Sequence, residues 1–196
     1  MVDAPDVVHL CHAGLGPWVP ALRAALACVV TVNVHGNDLL VPWVSHGGDA
    51  KSYRSAQIAG LDAADAVLAV SEFSAQLARR AGVDGSHIAT IENGVDGDRF
   101  APAPGGSDLA ARLGIAPDDE VLLTVSRLAQ RKGHRTALRA LAIVLRERPR
   151  ACFVFTGTNP RLLAELLAHA EELGVRHRVR ALGFVSDEEL PSLYRL

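Results

Sequence analysis

Short apolar runs that alternate with helical patterns are the feature that most constrains the fold of this chain. The first runs are rich in β-branched residues and cover Val7–Cys11, Cys28–Val34, Ala66–Val70 and His87–Ile91. Such runs, bounded by turn residues, are typical of strands that are buried on both faces of a sheet. A helix is predicted over Ser71–Ala81, with Ser71 as N-cap and Gly82 just past its end.

The same alternation starts again in the second half of the chain. Strands are predicted at Val121–Val125, Cys152–Thr156 and Val179–Leu182, and helices at Arg135–Arg148, Pro160–Leu173 and Glu188–Tyr194. Strands that alternate with helices of about 10–15 residues indicate βαβ units and a parallel sheet. We therefore predict an α/β fold with two halves, each built on a parallel sheet.

A Pro/Gly-rich stretch separates the two series and is the best linker candidate. It runs from Ala101 to Ser107, so the predicted domains are residues 1–100 and 108–196, with a linker at 101–107. Because the chain stops inside a predicted helix, we expect a fragment of a longer protein, truncated in both domains. We expect such a fragment to associate through its unfinished apolar face and to be inactive alone.

Composition excludes several classes of protein. With 196 residues, of which 49% are hydrophobic and 21% charged, the chain is neither disordered, collagenous nor a coiled coil. It has no apolar run long enough to span a membrane and no basic segment typical of a secretory signal. The cysteines Cys11, Cys28 and Cys152 are odd in number and lie in apolar runs, which favours buried free thiols and a cytoplasmic protein.

Charge is divided unevenly along the chain. Residues 1–100 hold six basic and eleven acidic residues, a net of −5, whereas residues 101–196 hold fourteen and eleven, a net of +3. The basic half is a candidate site for an anionic ligand, but the imbalance is too mild to indicate nucleic acid. Lys51 and Lys132 are the only lysines beside 18 arginines. We place Lys51 in a polar loop without a role.

The strongest candidate for chemistry is the segment that contains Arg127 and Lys132. Arg127 follows the strand predicted at Val121–Val125, and Lys132-Gly133 opens the next helix. Ligands of open α/β sheets bind at the carboxyl ends of strands, and helix N-termini favour anions. Arg127 can hold a phosphate with two hydrogen bonds, while Lys132 offers a compact charge. The alternative interpretation is a solvated basic loop.

His35-Gly36-Asn37-Asp38 follows the second predicted strand in the same way. Gly36 would allow a sharp turn, and His35 would be a polar or proton-sharing group in the crevice; the alternative is a structural hydrogen bond. We predict no metal site. His9 and His12 would face opposite ways on a strand, and we interpret Asp96-Gly97-Asp98 as a turn.

Five stretches resemble, in the same order, the retaining GT-B glycosyltransferases of glycosyltransferase family 4. The stretches are Val32–Asp38, Val70–Phe73, Ile91–Asp96 with Arg99-Phe100, Ser126–Gly133 and Leu182–Pro191. The resemblance implies two Rossmann-like domains that face a cleft, with a nucleotide-sugar donor held mainly by the C-terminal domain.

The resemblance also implies roles for individual residues. Arg127 and Lys132 match the pair that grips the donor diphosphate and stabilises the leaving group in place of a metal, and His35 matches a residue near the reacting sugar and acceptor. Phe184-Val185 matches the stretch that meets the nucleobase. The remaining candidates are Asn93, Gly94, Gly133 and Gly157 on the donor side, and Gly36 and Asp38 on the acceptor side.

The sequence departs from the family pattern at several points. Ser126 replaces the usual Gly, and Thr156-Gly157-Thr158 replaces a Gly-x-Gly turn. The family's Gly-rich loop and E-x7-E motif do not occur in the chain, and we expect them before residue 1 and beyond Leu196.

The implied function is metal-independent transfer of a sugar, with retention, from a nucleotide sugar to a glycan, a lipid-linked acceptor or a small molecule. No cofactor other than the nucleotide-sugar co-substrate is expected. Missing N-terminal residues would allow peripheral contact with the inner face of the membrane. The alternatives are a GT-B nucleotide-sugar epimerase and a non-catalytic module that binds nucleotide sugars.

Overall fold

The computed structural model describes residues 5–40, 49–103 and 106–196. The chain divides into two compact units, Met1–Gly94 (unit 1) and Val95–Leu196 (unit 2). Among the described residues, no helix is long and apolar enough to cross a bilayer.

Unit 1 is an α/β unit with a four-stranded parallel sheet in the order β1-β2-β3-β4. Its strands are β1 Val7–Leu10, β2 Val29–Val34, β3 Ala66–Ala69 and β4 Ile88–Thr90. Its helices are α1 Val19–Ala25, α2 Asn37–Leu40, α3 Ala50–Ala63 and α4 Glu72–Ala81, with 3-10 turns at Ala13–Trp18 and Gly85–His87. The predicted parallel sheet is confirmed, with each strand within one or two residues of its predicted bounds.

The predicted signals around α4 are also confirmed. The Ser71 hydroxyl accepts a hydrogen bond from the backbone N–H of Ser74, which satisfies one of the first-turn donors. At the other end, Gly82 has φ 104° and its N–H donates to the carbonyls of Ala78 and Arg79. A left-handed residue at this place favours glycine.

Helix α3 is the largest element that the sequence analysis missed. Asp49 caps it by accepting hydrogen bonds from the N–H groups of Lys51 and Ser52. The placement of Lys51 in a loop is therefore wrong. The buried face of this helix consists of Gln57, Gly60 and Leu61, so it lacks the apolar stripe by which an amphipathic helix is recognised.

Unit 2 contains a three-stranded parallel sheet in the order β5-β6-β7. Its strands are β5 Glu120–Thr124, β6 Ala151–Phe155 and β7 Val179–Ala181, and its helices are α5 Ser107–Arg112, α6 His134–Val144, α7 Pro160–Glu172 and α8 Leu190–Leu193. All five residues of the central strand β6 are buried. Alternate β6 side chains therefore serve two apolar clusters, as a strand covered on both faces requires.

The two clusters of unit 2 differ in the helices they use. Phe153 and Phe155 pack with Leu138 and Leu166 of α6 and α7. Cys152 and Val154 pack with residues of α5 and α8 on the other side, including Leu109 and Leu193.

The cysteine prediction is correct only in part. All three cysteines are free, but Cys11 is exposed, Cys28 is half-buried and only Cys152 is buried. Cys11 is exposed because β1 ends at Leu10 and the chain leaves the sheet at this point.

The segment between the two series of strands has two parts with different environments. Residues 91–99 are all exposed and contain no helix or strand. The next residues are held by the C-terminal segment, because the Arg195 guanidinium donates to the carbonyls of Arg99 and Ala101, both at 3.3 Å. The Phe100 ring also meets Tyr194 edge-on at 5.8 Å. Residues 104 and 105 of the predicted linker lie outside the described residues.

We predict that a low-specificity protease first cuts this chain between Glu92 and Asp98, since that backbone lies open while residues 99–101 are hydrogen-bonded to Arg195. Mass spectrometry of early fragments measures the site. The Arg195→Ala variant should add a second cut near Pro102. A first cut of the unchanged chain within residues 101–107 would instead support the linker predicted from sequence.

Candidate functional site

The carboxyl ends of the strands β5, β6 and β7 surround one cavity of about 220 Å³. It is here called the donor cavity because four of its lining residues are predicted from the sequence to bind a donor. The lining residues come from the loops after β5, β6 and β7, and from α8; they are Val125, Ser126, Arg127, Thr156, Gly157, Thr158, Gly183, Phe184, Val185 and Leu190. Four residues predicted to bind the donor are among them: Arg127, Gly157, Phe184 and Val185. This edge of a parallel sheet is where ligands of open α/β folds bind.

Hydrogen bonds tie the loops around the donor cavity to one another. The buried Thr156 hydroxyl accepts from the N–H of Ser126 at 3.1 Å and lies 3.3 Å from the Ser126 carbonyl oxygen, to which it donates. The N–H of Gly157 donates to the Gly183 carbonyl at 2.6 Å. The loop that carries Arg127 is therefore fixed by the loop after β6, which in turn is fixed by the loop after β7.

At Gly157 the loop after β6 lies close to the loop that carries Arg127. A Cβ atom there would lie 2.5 Å from the Leu128 nitrogen and 2.6 Å from the Ser126 carbonyl oxygen, and its φ of 113° is left-handed. Both the space and the backbone conformation thus require glycine. The single glycine of Thr156-Gly157-Thr158 therefore allows the close approach to the Arg127 loop.

Three residues that line the donor cavity are exposed: Arg127, Thr158 and Phe184, the last with 79% of its surface exposed. An exposed guanidinium can hold an oxyanion, and an exposed ring can stack on a planar group.

Lys132 and Gly133 lie in the turn that precedes α6, and they are not among the residues that line the donor cavity. Lys132 ends a 3-10 turn, Gln130–Lys132, and is exposed. Gly133 has φ 75° and caps α6, which begins at His134. The lysine therefore stands one residue before the cap.

In unit 1, His35 follows β2 as predicted and lies beside β1. Its Nε2 is 2.9 Å from the Cys11 carbonyl oxygen, which can only accept, so this nitrogen carries a hydrogen. The ring is 6.2 Å from that of His12, in a stacked arrangement. His35 thus makes the structural hydrogen bond that was the alternative to a chemical role. Gly36 has φ 89°, which confirms the predicted turn.

The carboxylate of Asp38 is buried and bonded to backbone. It accepts from the N–H of Ala13 at 3.1 Å and from that of His35 at 3.1 Å. Asp38 therefore joins the turn after β1 to the turn after β2, and it positions His35. Its contact with an acceptor stays a prediction.

Helix α3 supports the turns after β1 and β2, and the sequence analysis did not predict this helix. The Tyr53 hydroxyl donates to the Gly14 carbonyl at 2.6 Å, and burial raises its pKa. The Gln57 amide donates to the Asp38 carbonyl at 3.0 Å. Gly60 lies against the backbone of Gly16, with no room for a side chain. The signal in the sequence was Asp49 as a helix cap.

The remaining predicted residues lie on the exposed segment between the two series. Asn93 and Gly94 are exposed at the end of unit 1, and their donor role stays a prediction. Asp96 accepts from the N–H of Arg99 at 3.0 Å, as expected for a turn. In the described part of the chain, no group of three or more His, Cys, Asp or Glu residues is placed to hold a metal ion.

Two family models match the chain. The model described as Glycosyltransferase Family 4 matches residues 2–99, and the one described as Glycosyl transferases group 1 matches residues 107–196. D-inositol 3-phosphate glycosyltransferase 2 of Catenulispora acidiphila is 35% identical over 146 residues, which is 69% of this chain and 34% of that protein.

A mannosyltransferase of Mycobacterium tuberculosis is also similar. It is the GDP-mannose-dependent alpha-(1-6)-phosphatidylinositol monomannoside mannosyltransferase, 31% identical over 187 residues, covering 94% of this chain and 46% of that protein. This chain thus spans between a third and a half of the length of these two relatives.

Solved structures share the fold. Anabaena HepE in complex with UDP-glucose matches with a TM-score of 0.77 at 24% identity, over 96% of this chain and 50% of that one. Sucrose-phosphate synthase of Thermosynechococcus elongatus matches with a TM-score of 0.76 at 23% identity, over 97% and 48%.

The two parallel-sheet units and these structural matches define the GT-B class of fold. Within that class, the chain belongs to glycosyltransferase family 4.

We predict that Gly157→Ala lowers the free energy of unfolding, because the new methyl group must displace the backbone that carries Arg127. Overpacking at such a contact costs about 1–3 kcal/mol. Urea denaturation measures the effect. Gly174→Ala is the matched control, since Gly174 also has positive φ (70°) but nothing within 4 Å of its Cβ position. Equal stabilities of the two variants would contradict the prediction.

Proposed function

We propose that this chain provides donor binding and part of the active site of an enzyme that transfers a sugar from a nucleotide sugar to a hydroxyl acceptor. The observation that carries the proposal is the donor cavity, where Arg127, Gly157, Phe184 and Val185 meet at the carboxyl ends of the strands. Family membership and the name of the mannosyltransferase relative, which includes GDP-mannose, support a nucleotide-sugar donor.

In this proposal the donor lies across the donor cavity. The exposed Phe184 ring and the neighbouring Val185 backbone meet the nucleobase, and Arg127 holds the diphosphate. Since the loop of Arg127 is fixed by Thr156 and Gly157, the backbone from which its guanidinium extends toward an oxyanion is held in place. Preorganised charge costs little reorganisation when a reaction develops charge beside it.

Arg127 and Lys132 would stabilise the leaving nucleotide. When the bond from the sugar to the diphosphate breaks, negative charge grows on the departing oxygen, and nearby cations lower the barrier. We propose that these two side chains supply that charge without a metal ion, and that the anomeric configuration is retained. The resemblance to retaining family members supports both points.

On the acceptor side, we propose that His35 contacts the reacting sugar or the acceptor hydroxyl. Its Nε2–H is bonded to the Cys11 carbonyl, so Nδ1 is the nitrogen that can accept a hydrogen bond. Asp38 holds the backbone of His35 and is a positioning residue. The names of the relatives include inositol phosphate and phosphatidylinositol, which supports an acceptor that is a phosphorylated polyol or its lipid-linked form.

A donor panel on the natural protein that contains this sequence tests the function. UDP-, GDP- and ADP-sugars are supplied with inositol phosphates, and release of nucleoside diphosphate is measured with and without EDTA. We expect release that depends on the acceptor, resists EDTA and yields a product of unchanged anomeric configuration. Donor binding without release would indicate a binding module, and a changed sugar on an intact nucleotide would indicate an epimerase.

We predict that Lys132→Ala in that protein lowers kcat by roughly 10²–10³, or about 3–4 kcal/mol, and raises the Kd of the donor much less. The reason is that the charge on the leaving group is larger in the transition state than in the bound donor. Lys132→Arg should restore only part of kcat, since a planar guanidinium does not replace a compact ammonium. Steady-state kinetics and donor titration measure the two effects.

Arg131→Ala is the matched control for Lys132→Ala. Arg131 lies in the same 3-10 turn and is also exposed, so a solvated side chain there should change kcat less than twofold. An equal loss in both variants would mean that this turn acts only as a diffuse basic patch.

A further inference from the structure

The two faces of α6 are used in different ways. Its inner face is buried and includes Leu138, Leu141 and His134, whose ring nitrogens have no hydrogen-bond partner among the described residues. Its outer face is exposed and includes Arg135 and Arg139. The inner face belongs to the core of unit 2, and the outer face is open to a partner.

Four exposed residues form one row on the outer face: Arg135, Arg139, Ile143 and Arg146. Their spacing of four, four and three residues places them on the same side of a helix. Arg146 lies in the turn that continues α6, since its N–H donates to the Ile143 carbonyl at 3.1 Å. At a rise of 1.5 Å per residue, the row is about 16 Å long. We call these four residues the basic face.

The arginines of the basic face differ from most other arginines of unit 2 because the fold does not use their charge. Each of the following donates to a carboxylate or to a backbone carbonyl: Arg99, Arg112, Arg148, Arg150, Arg161, Arg176, Arg178, Arg180 and Arg195. Among the described residues, the side chains of Arg135, Arg139 and Arg146 have no hydrogen bond and no ion pair. Arg127 and Arg131 are also unpaired, but Arg127 lines the donor cavity and Arg131 precedes the cap of α6.

Acidic residues that could neutralise the basic face are missing from α6. The helix His134–Val144 contains no Asp or Glu, and the nearest one in sequence is Glu147, just after Arg146. One carboxylate cannot match three guanidinium groups. The neighbouring helix α7 differs, since its exposed Arg161 is paired with Glu165 at 3.1 Å. The positive charge of the basic face is therefore left for an anion outside the chain.

Ile143 gives the basic face an apolar contact between its cations. This residue is 65% exposed and lies between Arg139 and Arg146 in the row. An apolar side chain gains free energy only where it leaves water, as it does in the interface of a lipid bilayer. Arginine suits the same interface, because its stem can lie on apolar groups while its guanidinium stays at the level of the phosphates.

We propose that the basic face is a docking surface for a bilayer that contains anionic phospholipids. Arg135, Arg139 and Arg146 would lie among the lipid phosphates, which a guanidinium can hold with two hydrogen bonds, and Ile143 would enter the headgroup region. Charge complementarity selects this partner, because a row of unmatched cations meets a plane of anions. None of the four residues lines the donor cavity, so this surface adds to the proposed sugar transfer and does not depend on it.

Co-sedimentation with vesicles tests the proposal on the natural protein that contains this sequence. Vesicles of phosphatidylcholine and phosphatidylglycerol in a three-to-one ratio should bind the protein at least tenfold more tightly than vesicles of pure phosphatidylcholine. Binding should be lost in about 1 M salt, where the Debye length is about 3 Å. Equal binding to both kinds of vesicle would overturn the proposal, because it would exclude a role for the charges.

The triple variant Arg135→Gln, Arg139→Gln and Arg146→Gln tests the basic face itself. Each cation near an anionic surface strengthens binding roughly fivefold, so this variant should bind the anionic vesicles at least tenfold more weakly. Glutamine is a good helix former, and the replaced side chains are exposed and unpaired, so the thermal unfolding midpoint should not change. Unaltered vesicle binding by the triple variant would overturn the proposal.

A second triple variant is the control for net charge. Arg112→Gln, Arg161→Gln and Arg176→Gln also remove three positive charges from unit 2, but these arginines lie beside glutamates. At about 0.15 M salt, where the Debye length is about 8 Å, this control should change vesicle binding less than twofold. An equal loss in the two triple variants would show that only net charge matters and would overturn the proposal.

Ile143→Gln distinguishes a bilayer from a soluble polyanion. It removes the apolar contact and keeps all charges, so it should weaken binding to the anionic vesicles at least threefold. No effect of Ile143→Gln, or binding of the unchanged protein to duplex DNA or polyglutamate but not to the vesicles, would assign the basic face to another polyanion and overturn the proposal.

Discussion

The contact between Gly157 and the backbone of residues 126–128 sets the geometry of unit 2 at the edge of the sheet that forms the donor cavity. A parallel sheet leaves its strand ends as separate loops, and nothing in the sheet itself sets their mutual positions. Here the glycine of the loop after β6 lets its backbone lie against that of the neighbouring loop, and the Thr156 hydroxyl makes two hydrogen bonds across the same contact. An exposed arginine, which would otherwise sample many conformations, thereby has a fixed backbone origin.

In unit 1, a different group fixes the positions of the loops that follow the strands. There a buried carboxylate, Asp38, accepts hydrogen bonds from the turns after β1 and β2, and the amide of Gln57 in turn bonds to the Asp38 carbonyl. In both units, a buried polar side chain next to a strand end pairs with the backbone of the adjoining loop. These bonds satisfy N–H groups that strand ends leave unpaired, and they place His35 in one unit and Arg127 in the other.

The sequence alone predicted those elements whose local residue pattern matched their burial in the structure. The parallel strands were predictable because β-branched runs bounded by turn residues are typical of buried strands. Helix α4 was predictable because Ser71 and Gly82 mark its two ends. Residues at strand ends, such as Arg127 and His35, followed from topology, since parallel strands gather their carboxyl ends at one edge.

Features that depend on close packing could not be predicted in this way. Helix α3 buries Gln57 and Gly60 because the turn at Ala13–Trp18 packs against its backbone, so its buried face carries almost no hydrophobic signal. The unpaired state of His134 likewise depends on the surroundings that α7 and β6 provide. A pattern in one segment contains no information about a neighbour that is distant in sequence.

The net positive charge of residues 101–196 is another feature whose meaning depends on distant contacts, because several of the arginines in this half bond to backbone carbonyls. Arg178 donates to the carbonyls of Ala151 and Arg150 and pairs with the Asp119 carboxylate; Arg180 donates to the Leu113 carbonyl, and Arg195 to that of Ala101. A forked guanidinium can serve several acceptors at once, which a lysine ammonium does with less geometric control. Several arginines of unit 2 therefore hold backbone segments of the fold together. A net charge counted along the chain therefore does not locate a ligand site.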